Sequence, residues 1–173
     1  MRNDPLFSEL LLEFSRFYWL KPADIIWDTV PAYHIRKFIE EKDKILDLGC
    51  GDGLFAALTF GAKLPSDYDR FISAKPGHQR IGEGQSGDIY SDPKLATSFI
   101  KKPVRSIDVG LELKPHHLKV AESLGVYEKL IEGNFENIPC ENDTFDKVFS
   151  SMAFYWGDDL SLQLQEVRRV LKD

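Results

Sequence analysis

A short apolar run that leads directly into a glycine-rich turn is the strongest constraint on how this chain folds. Residues 44–53 read Lys-Ile-Leu-Asp-Leu-Gly-Cys-Gly-Asp-Gly, and an apolar segment follows at 54–58. The pattern is typical of a buried strand, a turn and a helix whose free N–H groups point toward the turn. Glycine permits positive φ angles and lets a ligand approach the backbone closely. Because the strand ends on an acid, Asp47, the turn predicts a nucleotide-like ligand that is not anionic at this point.

Composition excludes several classes of protein. The chain has 173 residues, a formal net charge of −6 and 43% hydrophobic residues, which fits one globular domain and argues against nucleic acid as an obligate partner. No apolar run approaches the roughly 20 residues of a membrane span, and the N-terminus lacks the apolar core of a signal peptide. Cys50 and Cys140 lie in regions that do not obviously pair, so a reducing cytoplasm is the expected location.

Alternating helix and strand patterns predict the fold class. The signal Asp4-Pro5 indicates the start of a first helix, and Thr29-Val30-Pro31 indicates the start of a second. The predicted helices cover about 5–19, 29–41, 54–58, 115–124 and 160–171, and the predicted strands cover about 45–48, 107–112, 130–134 and 145–150. Strands that alternate with helices predict an α/β fold with a mainly parallel sheet and helices on both faces.

The predicted single domain, 1–173, divides into four parts. The N-terminal helices occupy 1–43, the first strand with its turn and helix occupies 44–60, and the rest of the core occupies 104–173. Between them, segment 61–103 is rich in proline and glycine and predicts a long loop with one short helix at 93–101. Loops of this length in a compact domain are usually functional or disordered.

The ends of four predicted strands are expected to converge on one site. In an open α/β sheet, ligands lie beyond the carboxyl ends of the strands. The second strand ends at Glu112, which is placed to accept hydrogen bonds from two ribose hydroxyls, and Leu113 after it is placed to cover a purine face. Asn134, after the third strand, is placed to pair with the purine edge, and Ser150 ends the fourth strand. The pattern predicts a site for an adenosine.

Five segments in this order resemble class I S-adenosylmethionine-dependent methyltransferases, of the type that includes ubiquinone and menaquinone biosynthesis enzymes. The segments are 45–53, 109–115, 132–139, 145–151 and 166–172, and the resemblance covers about 31–58 and 104–173. It implies a Rossmann-like three-layer sandwich and S-adenosyl-L-methionine as the cofactor. It also implies transfer of the sulfonium methyl group to a small-molecule acceptor by in-line attack, for which alignment supplies much of the rate.

The resemblance assigns the cofactor site. The glycines of the turn would carry the methionine part, Asp47 would lie near its ammonium group, and Glu112 would hold the ribose. Asn134 stands where the family often has aspartate and would serve adenine by accepting through its side-chain oxygen. The predicted cofactor-binding residues are Asp47, Gly49, Cys50, Gly51, Gly53, Glu112, Leu113, Asn134, Phe135 and Ser150. No metal site is expected.

The sequence identifies no catalytic base. His34, on the second helix, is a candidate, and the more frequent role of such residues is structural. His116 and His117 open the helix after the second strand and are expected to be solvated, without a metal role. Four aromatic residues are candidates for an acceptor site, although side chains at such positions are more often part of a core: Tyr18, Trp19, Tyr155 and Trp156.

Two other functions remain open at this point. The family normally continues through three more strands after the fourth, so the sheet is expected to lack its C-terminal strands and to expose an edge. A fragment of a longer protein, a homodimer through that edge, or a cofactor-binding pseudo-enzyme or interaction domain without turnover would each account for it. A dinucleotide-dependent oxidoreductase is the third function, but its fingerprint requires glycine at position 54, where this chain has leucine.

Overall fold

A four-stranded parallel sheet organises the protein, whose residues 4–66, 68 and 99–173 are described by a computed structural model. In chain order the elements are α1 (Pro5–Phe17), α2 (Pro22–Phe38), β1 (Ile45–Leu48), α3 (Leu54–Thr59), β2 (Ile107–Glu112), α4 (Pro115–Leu124), β3 (Tyr127–Glu132), β4 (Lys147–Phe149), a 3-10 turn (Phe154–Trp156) and α5 (Leu160–Val170). The strand order is β3-β2-β1-β4, and every neighbouring pair is parallel. The predicted Rossmann-like α/β fold is confirmed.

Apolar side chains form two buried clusters around the sheet. One cluster joins Ile45 and Ile107 of the strands to the apolar sides of α1, α2 and α3. The other joins Leu46 and Leu48 of β1 to Val170 of α5. All four residues of β1 are buried, as expected for a central parallel strand covered by helices on both faces. These layers hold the carboxyl end of β1, and the turn after it, in a fixed position.

The first helix begins where the sequence predicts. Asp4 accepts a hydrogen bond from the N–H of Leu6 at 3.0 Å, and Pro5 occupies the first helical position. The other oxygen of Asp4 accepts from the Tyr33 hydroxyl at 2.8 Å and pairs with Lys37 at 2.7 Å, both on α2. Because these partners lower the pKa of Asp4 to about 2, the cap stays ionised and ties the two helices together.

The predicted start of the second helix at Thr29 is wrong. α2 begins at Pro22 and contains Pro31 in its interior. Proline has no N–H, so it removes one helical hydrogen bond to the preceding turn. Thr29 and Tyr33, on either side of Pro31, are both buried against neighbouring elements. Tertiary packing of this stretch therefore outweighs the local preference to begin a helix at Pro31.

Most of segment 61–103 lies outside the described residues. At its two ends, the N–H of Lys63 donates to the carbonyl of Lys101 at 2.8 Å, and the N–H of Ile100 donates to the carbonyl of Lys63 at 2.8 Å. These bonds form an isolated antiparallel bridge. Of the helix predicted at 93–101, residues 99–101 are not helical and the others are outside the described residues. The bridge brings the ends of the segment together beyond α3.

Candidate functional site

The carboxyl ends of β1 and β4 form the switch point of the sheet. β2 and β3 lie on one side of β1 and β4 lies on the other, and open α/β sheets bind ligands in the crevice at such a point. The hydroxyl of Ser150 donates to the carbonyl of Leu48 at 2.7 Å, which ties the end of β4 to the end of β1. The structure therefore brings together the glycine turn and the strand-end residues that the sequence analysis selected.

The three glycines of the turn face different surroundings. Gly49, Gly51 and Gly53 have φ angles of 76°, 55° and 80°, which favour glycine. A Cβ on Gly49 would collide with Ala153, and one on Gly53 would lie 3.1 Å from the ring of Tyr127. A Cβ on Gly51 would meet no atom within 4 Å. Two of the glycines are thus required for packing, and Gly51 is the one that opens onto space available to a ligand.

Glu112 is held at the end of β2 by backbone N–H groups from two loops. Its Oε2 accepts from Gly51 at 3.0 Å and its Oε1 accepts from Lys114 at 2.9 Å. A carboxylate oxygen accepts more than one hydrogen bond, so each oxygen keeps capacity for a further donor. The pair of oxygens beside Gly51 is chemically suited to a vicinal diol.

Asp47 lies behind the turn rather than on the surface of the crevice. It is 2% exposed, and its Oδ2 accepts from the Tyr127 hydroxyl at 2.7 Å. Burial raises the pKa of Asp47 to about 7, the charge of Glu112 raises it as well, and the bond from Tyr127 opposes both. The carboxyl is therefore partly protonated at neutral pH. Sequence reasoning missed Tyr127 because it began the third strand at 130, whereas β3 begins at Tyr127.

Two further titratable side chains lie beside Glu112 and the turn. Cys50 is buried, and burial raises the pKa of its thiol well above the ordinary value, so the thiol stays neutral. His117 was expected to be solvated, and this expectation is wrong. Its Nδ1 is buried without a hydrogen-bond partner, 3.9 Å from Oε1 of Glu112, and burial lowers its pKa. Side chains in a helix point toward the preceding turn, which directs His117 back to the end of β2.

The residues predicted to contact a purine lie in the loops after β2 and β3. Leu113 is 61% exposed and offers apolar surface next to Glu112. The side-chain oxygen of Asn134 accepts from the N–H groups of Glu136 and Asn137 at 3.1 and 3.0 Å, so this oxygen caps a turn. The side-chain NH₂ group of Asn134 is thus the better candidate for a ligand contact than the oxygen that the sequence analysis favoured.

Phe135 serves the architecture of the crevice. Its ring centroid lies 5.5 Å from that of Phe154, in the turn after β4, and its edge covers Gly49. This packing connects the loop after β3 to the loop after β4 across the glycine turn. Phe135 therefore shapes the wall of the crevice.

The candidate acceptor-site residues separate into buried and exposed groups. Tyr18 is buried in the core, whereas Tyr155 and Trp156 are among the most exposed large side chains. The ring of Trp156 lies 5.6 Å from Nζ of Lys114, which places it next to the loop that follows Glu112. Trp19 is 53% exposed at the end of α1. Trp156 is thus the candidate whose ring contacts the loop that follows Glu112.

The second helix contributes one residue near the crevice that sequence reasoning missed. Asp28 is buried, and its Oδ1 accepts from the Ser151 hydroxyl at 3.4 Å, just after β4. No local pattern distinguishes this acid from other helical acids, so only the fold could reveal it. His34, the candidate base, is exposed and its ring packs against Tyr33 and Phe38 of the same helix.

Comparisons with known proteins find similarity to methyltransferases. A protein-family model described as "Methyltransferase domain" matches residues 95–173. Malonyl-[acyl-carrier protein] O-methyltransferase 1 of Coxiella burnetii is 35% identical over 86 residues, which are 49% of this chain and 29% of that protein. The family-model match includes β2, β3, β4 and their loops.

Solved structures share the fold at low sequence identity. The YcgJ protein of Bacillus subtilis gives a TM-score of 0.52 at 20% identity, over 83% of this chain and 47% of that one. A methyltransferase of Thermotoga maritima, described as S-adenosylmethionine-dependent and a possible histamine N-methyltransferase, gives 0.51 at 17% identity, over 92% and 56%. This chain thus spans about half the length of these structures. Residues 95–173 thus match the methyltransferase-domain family, and the fold is the one that these methyltransferase structures share.

Proposed function

We propose that this protein transfers the methyl group of S-adenosyl-L-methionine to a small-molecule acceptor. The observation that carries the proposal is the pair of Glu112 oxygens beside the open side of Gly51, at the switch point of the sheet. The cofactor supplies a methyl group on a positively charged sulfur, which is already activated toward in-line attack. The protein's task is therefore mainly to bind and orient both partners.

The residues of the crevice fit this cofactor. Glu112 would accept hydrogen bonds from the ribose hydroxyls, and Leu113 would cover one face of the adenine. The space next to Gly51, which a Cβ would fill, receives the methionine part. The charge of Asp47, behind the turn, attracts its ammonium group. The remaining predicted residues hold the turn and the loops in place or line them: Gly49, Cys50, Gly53, Asn134, Phe135 and Ser150.

Carboxylic acids are the first acceptor class to test. Lys114 brings an ammonium group to the rim of the crevice, where it would attract an anionic acceptor, and Trp156 offers an apolar surface next to it. The name of the Coxiella burnetii relative, an O-methyltransferase of a malonyl group, supports the same choice. The exposed position of Trp156 leaves it accessible to an acceptor.

The cellular location and the partners of the protein are also proposals. We expect a cytoplasmic location, because neither Cys50 nor Cys140 forms a disulfide. A search of the described residues finds no helix that is both long enough and apolar enough to cross a membrane. The net charge of −6 supports a small-molecule partner over nucleic acid. A homodimer through the edge of β4 remains a prediction, which sedimentation would test.

Calorimetric titration with S-adenosylhomocysteine tests the cofactor site. Glu112→Ala removes the acceptor for the ribose, and we expect an affinity loss of about tenfold to a hundredfold. Glu112→Gln keeps one oxygen and is expected to lose less. Glu122→Ala, which removes an exposed acid from α4, is the matched control and is expected to bind like the unmodified protein.

Two results would count against the proposal. One is the absence of S-adenosylhomocysteine binding by the unmodified protein, and the other is equal affinity of Glu112→Ala and Glu122→Ala. Turnover is tested separately with a panel of acceptors that begins with carboxylic acids. Binding without turnover across a broad panel would instead support the cofactor-binding domain without activity, which the comparisons do not favour.

A further inference from the structure

The side chain of Tyr127 extends from β3, across β2, to Asp47 on β1. A Cβ on Gly110, the residue of β2 that pairs with Asp47, would lie 2.7 Å from Cδ1 of this ring. A Cβ on Gly53 would lie 3.1 Å from Cε2 of the same ring. The ring therefore occupies a slot that exists because both positions lack a side chain. From this slot the hydroxyl reaches Oδ2 of Asp47 at 2.7 Å.

The groups that face Asp47 are otherwise acidic. Glu112 on β2 and Cys50 in the turn interact electrostatically with Asp47, and Asp52 in the turn interacts with Cys50 and with Tyr127. Burial and the Glu112 charge favour the neutral form of Asp47, whereas the bond from Tyr127 favours the ionised form. Because burial and the Asp47 charge raise the pKa of the Tyr127 phenol, the phenol stays protonated and remains a donor.

The remaining neighbour belongs to α4. His117 lies next to Glu112 and interacts electrostatically with Asp52. Because burial lowers the pKa of His117, its ring does not carry a full positive charge at neutral pH and does not neutralise these acids. The hydrogen bond from Tyr127 is thus the main interaction that supports a charged Asp47 against burial.

We propose that Tyr127 is a positioning residue of the cofactor site, whose hydroxyl holds Asp47 in the orientation and charge state that attracts the amino group of the methionine part. The inference rests on the function proposed above and adds a residue to it. Tyr127 acts through Asp47, since its ring packs against Gly53 and Gly110 while its hydroxyl donates to Oδ2 of Asp47.

Two ligands separate this role from a purely structural one. S-adenosylhomocysteine carries the amino group, whereas 5′-methylthioadenosine keeps the adenosine and the sulfur without the amino acid. Because Asp47 has a pKa of about 7, the affinity for S-adenosylhomocysteine is expected to rise as pH increases through about 7 and then to level off. The affinity for 5′-methylthioadenosine is expected to stay constant over the same range.

Tyr127→Phe keeps the ring in its slot and removes only the hydroxyl. Without the bond that favours the ionised carboxylate, the rise in affinity for S-adenosylhomocysteine is expected to shift to higher pH. At pH 7 we expect about threefold to tenfold weaker binding of S-adenosylhomocysteine and no change for 5′-methylthioadenosine. In the Asp47→Asn background, Tyr127→Phe is expected to have no further effect on either ligand.

The outcomes distinguish the inference from the proposed function. If the unmodified protein binds neither ligand, the proposed function is overturned and the inference falls with it. If it binds both ligands and Tyr127→Phe keeps the original pH profile, the inference alone is overturned. A variant that loses both ligands equally also overturns it, because such a loss reports a structural role.

Unfolding provides a second readout that needs no ligand. A buried acid with a raised pKa binds more protons in the folded state, so its contribution to the free energy of unfolding falls as pH rises from about 4 toward 7 and is constant above that. In Tyr127→Phe the contribution of Asp47 to the free energy of unfolding is expected to go on falling at higher pH. The variant is therefore expected to fold at pH 5, and its stability relative to the unmodified protein is expected to be lowest at pH 8. Equal destabilisation at both pH values would contradict the inference.

Discussion

At the residue scale, two glycines of one turn are required for different reasons. Gly51→Ala places a methyl group in open space, so folding is expected to cost about 1 kcal/mol for the left-handed conformation. The same methyl group occupies the proposed position of the methionine part, and affinity for S-adenosylhomocysteine is expected to fall about tenfold or more.

Gly49→Ala collides with Ala153 and Phe135 and is expected to lower the free energy of unfolding by about 3 kcal/mol. Urea denaturation and calorimetry measure both effects.

Gly125→Ala is the matched control for this pair. Gly125 has a φ of 62° and a Cβ there would also meet no atom within 4 Å, but it ends α4, away from the crevice. Its stability cost is expected to equal that of Gly51→Ala, with unchanged ligand affinity. If Gly49→Ala were as stable as Gly125→Ala, the packing role of Gly49 would be refuted.

The same scale shows which site residues a sequence can reveal. The positions of Asp47 and Glu112 near the ends of two strands were predictable from the apolar runs around them, since strand ends converge in a parallel sheet, and their cofactor roles stay predictions. The contacts of Tyr127 and His117 were not predictable, because the first joins residues remote in the chain and the second depends on the direction of a side chain. Tyr127 meets Asp47 across 80 positions of sequence, in a slot defined by two glycines on other elements.

At the element scale, α5 holds the connection between β3 and β4. Residues 133–146, all within the described part of the chain, join these strands without a helix. The guanidinium of Arg169 donates to the carbonyls of Ile138 and Cys140, each at 2.8 Å, and pairs with Glu166 at 2.7 Å. Glu166 in turn accepts from the N–H of Ile138 at 2.9 Å. This network fixes an irregular segment against a regular helix.

Removal of the guanidinium is expected to loosen that connection. Arg169→Ala leaves two carbonyls without this donor and leaves the partly buried Glu166 carboxylate with the N–H of Ile138 alone, and we expect a loss of about 2 kcal/mol in the free energy of unfolding. Arg168→Ala is the control, because the neighbouring side chain is 66% exposed and is expected to contribute little. Thermal and urea denaturation compare the two variants, and equal stability of both would contradict the role assigned to Arg169.

Element boundaries were predictable where local chemistry decides them. The start of α1 follows from its own cap at Asp4 and Pro5, and the end of α4 follows from the positive φ of Gly125. The start of α2 was mispredicted because packing around Thr29 and Tyr33 keeps Pro31 inside a helix. In this case tertiary contacts outweigh the helix propensity of the local sequence, and a reading of neighbouring residues alone cannot detect those contacts.

At the scale of the whole molecule, the parallel sheet follows from the order of strands and helices, since parallel neighbours need long crossover connections. The order β3-β2-β1-β4 then reverses direction at β1, which fixes where a ligand crevice forms. The sequence predicted this class of sheet from its alternating elements. Side-chain contacts between the loops, such as the Lys114 ammonium over the ring of Trp156, could not be predicted from the sequence, because these loops are far apart in the chain.

Hydrogen exchange of the whole protein tests where the ligand binds. With S-adenosylhomocysteine at a hundred times its dissociation constant, amides that exchange through opening of the site are expected to slow by up to about a hundredfold. We expect this protection in the turn 49–53 and at 112–114, where Gly51 and Lys114 already donate to Glu112. Amides of α5 lie on the other side of the sheet from α3 and are expected to change least. Protection confined to α5, with none in the turn, would move the binding site away from the switch point.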